Sequence, residues 1–96
     1  MRNKGKELIE KYYRIMENDI NSAMIRAEEG SIDYFSFDSI AESYRSRFTG
    51  SLDVILDLDF INMDTWSELY DKSFKFYEEA SGRIRKLQFD PKDPED

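Results

Sequence analysis

The chain has 96 residues, 40% of them hydrophobic and 36% charged, with a net charge of −7. It contains no cysteine and no histidine, which excludes disulfides, thiolate nucleophiles, Cys/His zinc sites, imidazole bases and a histidine pH switch. At this length one domain with one modest core is expected, burying about 60–65% of the unfolded surface, and the small number of glycines and prolines argues against disorder.

No apolar run approaches the roughly 18 residues of a membrane span, and the basic start "MRNKGKELIEKYY" lacks a signal-peptide apolar region. A cytoplasmic protein without membrane contact is expected, with which the lack of cysteine agrees. Charge is uneven. Residues 1–14 hold five basic and two acidic groups, whereas residues 15–64 hold eleven acidic and three basic. Such a surface repels nucleic acid and anionic lipid and speeds association with a basic partner.

In chain order, the first predicted element is a helix over residues 6–29. Leu8, Ile9, Tyr12, Tyr13, Met16, Ile20, Ala23, Met24 and Ala27 share one broad face. Ile25 points away from that face, and Gly30 suits a helix stop with positive φ. A shorter helix follows, with Phe37, Ile40, Ala41, Tyr44 and Phe48 on one side, Ser36 or Asp38 as its cap and Gly50 at its end. The stretch "GSLDVILDLDFINMD", Gly50 to Asp64, reads two ways. As a strand it alternates almost regularly. As a second short helix it places Asp53 and Asp57 at i and i+4 on an exposed strip, and the shortage of strand partners favours the helix. The last long helix starts near Asp64 or the "TWSE" capping box and runs to about Lys86, with Gly82 as its weak point.

The expected fold is therefore all-α, a small bundle of two long antiparallel helices with two shorter helices between them. The alternative is an α+β fold with a small antiparallel sheet that uses "RIRKLQF" as a strand. Residues 1–89 form a single compact domain on this reading, and the Pro- and Asp-containing residues 90–96 form a disordered acidic tail.

No motif points to catalysis. "DLDFINMDTWSE" puts Asp57, Asp59 and Glu68 at positions 1, 3 and 12 of a calcium loop, but Ile61 and Asn62 stand where a polar ligand and a glycine are needed. There is no S-x-x-K and no glycine-rich phosphate loop. No catalytic residue, metal or cofactor is assigned. Two short basic runs, "RNKGK" and "RIRK", would form a phosphate-binding patch if the fold brought them together. The overall acidity argues against direct nucleic-acid binding.

The expected function is that of a non-catalytic acidic protein-binding domain. Its sharpest form is an inhibitor or immunity-type protein that mimics phosphates and fills the basic cleft of a nuclease or other nucleic-acid-binding protein. Asp33, Asp38, Glu42, Asp53, Asp57 and Asp59 are the candidate contacts for the partner's Lys and Arg, with Tyr34 or Phe35 as the apolar anchor. The alternative is a structural or adaptor module that homodimerises through its aromatic helical faces.

Overall fold

The computed structural model describes residues 4–89, so the tail expected at 90–96 lies outside the described residues. Three helices follow one another: α1 (Lys4–Glu28), α2 (Tyr34–Asp57) and α3 (Met63–Phe89). No strand occurs among the described residues. The four-helix arrangement and its sheet-containing alternative are thus both corrected to a bundle of three long helices of 25, 24 and 27 residues.

The two expected short helices are one helix because the core stripe runs straight through Gly50. Phe37, Ala41, Arg45, Phe48, Leu52 and Ile55 are buried at steps of three and four residues. A glycine costs a helix about 1 kcal/mol but stops it only where the chain turns left-handed. Among the glycines only Gly30 has a positive φ, at 85°. The same reasoning covers Gly82, which α3 crosses on its way to Phe89, so "RIRKLQF" is helical.

Fusing the middle helices reverses a second expectation. A single long α2 carries the chain from one end of the bundle to the other, so α1 and α3 run parallel. Gly5 at the start of α1 meets Phe60 just before α3, and Arg83 near the end of α3 pairs with Glu28 at the end of α1 at 2.8 Å. Lys4 to Lys6, the described part of the first basic run, and the "RIRK" turn therefore lie at opposite ends, and these residues do not form the combined patch the sequence suggested.

Caps differ from the expected ones as well. Asp33, rather than Ser36 or Asp38, caps α2, accepting the Ser36 N–H at 2.7 Å. Asn62, rather than Asp64 or Thr65, caps α3: its side-chain oxygen accepts the Thr65 N–H at 2.8 Å. Both connections open with the same helix-stop motif, in which two N–H groups beyond the helix return to carbonyls of its last turn. Gly30 and Ser31 donate to Ala27 and Arg26 after α1; Asp59 and Phe60 donate to Leu56 and Ile55 after α2. The second motif needs a left-handed residue and uses Asp59, at φ 62°.

The core lies along α2, which packs against both neighbours. From α1 it receives Ile9, Tyr13, Met16, Ile20, Ala23 and Ala27, at regular steps of four and three. The Tyr13 and Phe48 rings meet edge to face with centroids 5.3 Å apart. Ile25 is exposed, as its place on the wheel requires.

Candidate protein-docking site

α3 contributes few fully buried apolar residues. Trp66, Tyr70, Phe76 and Tyr77 are partly buried, so the polar edges of Trp66 and Tyr77 need partners, and α2 supplies them. At one end of the α2–α3 seam the Trp66 indole N–H donates to Asp53 at 2.8 Å. At the other, the Tyr77 hydroxyl and the Ser81 hydroxyl both donate to Asp38 Oδ1, at 2.7 and 2.6 Å. Between them lies Arg45, buried in mid-helix. It donates through Nε and Nη2 to both oxygens of Glu42, and its guanidinium sits over the rings of Tyr70, Phe74 and Tyr77 at 5.3 to 5.7 Å. Its remaining nitrogen, Nη1, is buried against these rings without a hydrogen-bond partner.

The electrostatics follow from these contacts. Hydrogen bonding to the Glu42 carboxylate holds the Arg45 guanidinium even more firmly protonated than usual, against the opposing effect of burial. Burial, and then the bond to Asp38, push the Tyr77 phenol upward. Burial, with Glu17 and Glu79 adding to it, raises Tyr13 to about 12. The Ser36 N–H bond lowers Asp33, as expected for a capping carboxylate.

A recess of about 440 Å³ opens beside this seam, lined by Tyr34, Asp38, Glu42, Tyr77, Glu78 and Arg85 among others. Three of the sequence candidates therefore converge here. Phe35 lies next to them, its ring 5.3 Å from that of Tyr34. Asp33 caps the same end of α2. Asp38 and Glu42 are already engaged by α3 and Arg45.

The remaining three candidates, Asp53, Asp57 and Asp59, lie at the other end of α2. Glu42 and Asp57 are more than about 20 Å apart at 1.5 Å per helical residue, so the eight candidates make two groups rather than one patch. Asp53 is held by Trp66, whereas Asp57 and Asp59 are exposed. Around them stand side chains that sequence reading did not single out as exposed. Val54, Leu58 and Met63 are 56–59% exposed and Phe60 is 41% exposed. Residues 48–71, the α2 and α3 part of this end, contain six acids and no base, while Lys6 of α1 and Lys72 of α3 border it on the side of Asp59 and Glu68. The signal was present in the helical reading: if Leu52 and Ile55 face the core, Val54 and Leu58 share the outer strip.

A concavity of about 780 Å³ lies beside this end between α1 and α3. Its walls carry both charge signs, from Lys6 and Lys72 to Glu10, Asp59 and Glu68, over a floor that includes Ile9 and Leu69. Among the described residues no group of three or more Asp or Glu side chains is placed to hold a metal ion. No helix there is long and apolar enough to cross a membrane.

No protein-family model matches the sequence, and neither a curated protein nor a solved structure matches the chain.

Proposed function

We propose that this is a non-catalytic protein-binding domain whose acidic, apolar end, from Asp53 to Asp64, receives a basic amphipathic segment of a partner protein. One observation carries the reading: four large apolar side chains stand exposed within ten residues, set among Asp57, Asp59 and Asp64 in a stretch without a base. Apolar groups exposed together supply contact energy on docking, while the carboxylates steer and select Lys and Arg. An inhibitor or immunity-type action in the basic cleft of a nuclease, in a cytoplasmic setting, is the most specific form of this proposal. The non-catalytic part is supported by the seam, where the Tyr77 and Ser81 hydroxyls donate to a carboxylate that anchors two helices.

The test is fluorescence anisotropy with a labelled Lys- and Leu-rich helical peptide of about 15 residues. The double variant Asp57→Lys, Leu58→Ser should weaken binding at least about tenfold, while Glu29→Lys, at the far end, leaves it within about twofold of the parent. Equal losses in both variants would reduce the effect to bulk charge and contradict the assignment.

A second reading, a self-associating structural or adaptor module, draws on the opposite end. There the Tyr34, Phe35 and Phe89 rings touch one another and two of them face solvent.

A further inference from the structure

The two exposed apolar patches sit at opposite ends of α2. The first is the acidic end. The second is the ring cluster in which Phe89 lies 5.5 Å from Tyr34 and 5.6 Å from Phe35. Phe35 is 68% exposed. This cluster adjoins the "RIRK" turn of α3. Arg85 lines the recess beside Tyr34 together with Asp38, Glu42 and Glu78, of which Glu42 is held by Arg45 and Asp38 by Ser81, and Lys86 is exposed on the next position. The only base of that turn with an ion-pair partner among the described residues is Arg83, which holds Glu28.

We infer that the acidic end of one copy docks on the ring cluster and basic turn of a second copy, so that the chain associates head to tail. The inference rests on the acidic end being a docking site and names its occupant. The chemistry is complementary on both counts. Val54, Leu58 and Met63 meet Phe35 and Phe89, a combination of aliphatic groups and a thioether with rings. Asp57 and Asp59 meet Arg85 and Lys86, where rim charges set register and encounter rate.

The contact joins two different surfaces. It has no two-fold axis, it leaves one free copy of each surface on every dimer, and it propagates as an open chain. A net charge of −7 on each copy opposes growth, and residues 90–96 add four acids and one lysine after the basic turn. The association therefore belongs to the weak, concentration-dependent class of contacts.

Sedimentation velocity on the full chain tests it, with circular dichroism confirming that each variant folds. Across a dilution series the mean mass of the parent protein should climb without a plateau at the dimer. Val54→Glu, which spoils the acidic end, and Phe35→Glu, which spoils the ring cluster, should each remain monomeric. Their equimolar mixture should form one-to-one dimers and stop, because each dimer then presents only spoiled ends.

A parent protein that stays monomeric, or a mixture that behaves like its two components, would overturn the inference. The labelled peptide separates this failure from that of the underlying reading. Phe35→Glu should still bind the peptide, and a monomeric parent that binds it keeps the docking site while losing this occupant. Peptide binding lost in Phe35→Glu would place the peptide site at the ring cluster and overturn both.

Discussion

At the residue scale, Gly5 is the one of the four glycines against which another part of the backbone packs closely. A Cβ there would stand 2.5 Å from the Phe60 carbonyl oxygen and 2.8 Å from its Cβ. Backbone cannot step aside as a flexible side chain can, so Gly5→Ala should cost about 1–3 kcal/mol despite its better helix propensity. Gly50 and Gly82 have open space where a Cβ would go. Gly50→Ala and Gly82→Ala should each stabilise by about 0.5–1 kcal/mol. Urea unfolding of the three variants checks this opposition of signs. Titration adds a second test. The fold favours the neutral phenol of Tyr13, whose acidity is shifted from 10.0 to about 12. Its stabilisation is complete below pH 10 and fades as pH rises through about 12. Thermal melts over this range should show Tyr13→Phe losing less stability than the parent. The capping carboxylate of Asp33 has the opposite dependence. Its folded value is lowered from 3.8, so its contribution is present above that pH and is lost as pH falls further.

At the scale of elements, the seam between α2 and α3 is set by polar pairs more than by apolar depth. Asp53 with Trp66, Arg45 with three rings, and Asp38 with Tyr77 and Ser81 occur in order along both helices. A one-turn slip would break all three. The Arg45–Glu42 pair should respond asymmetrically. Glu42→Ala leaves a mostly buried guanidinium without its counter-charge and should cost about 1–3 kcal/mol, discounted because Glu42 itself is partly solvated. Arg45→Met fills the same space between the rings with a neutral group and should cost less. Chemical denaturation of the two variants gives the comparison. This seam also explains what the sequence shows and what it hides. The α1 stripe is legible because Ile9 to Ala27 repeats at regular steps of buried residues. The continuity of α2 is harder to see, since Arg45 interrupts the apolar pattern and Gly50 imitates a stop. Asp59 conceals the true stop, because a left-handed position usually signals itself with glycine or asparagine. Carboxylates that hold an α3 ring, such as Asp38 and Asp53, look the same in sequence as those that face solvent, such as Asp57.

At the scale of the molecule, one long α2 between parallel outer helices decides what the surface can do. It separates the acidic, apolar end from the ring cluster and basic turn by the length of the bundle. It also divides the sequence candidates into Asp33, Tyr34, Phe35, Asp38 and Glu42 at one end, and Asp53, Asp57 and Asp59 at the other. Of these two groups, the second combines the exposed carboxylates of Asp57 and Asp59 with exposed aliphatic side chains, the combination that receives a basic amphipathic segment. The most direct measurement is an amide chemical-shift titration of the ¹⁵N-labelled domain with the basic helical peptide. The proposed docking site requires the largest shifts to fall on residues 53–64. Shifts centred on Tyr34 to Glu42, or spread evenly over every acidic residue, would contradict it.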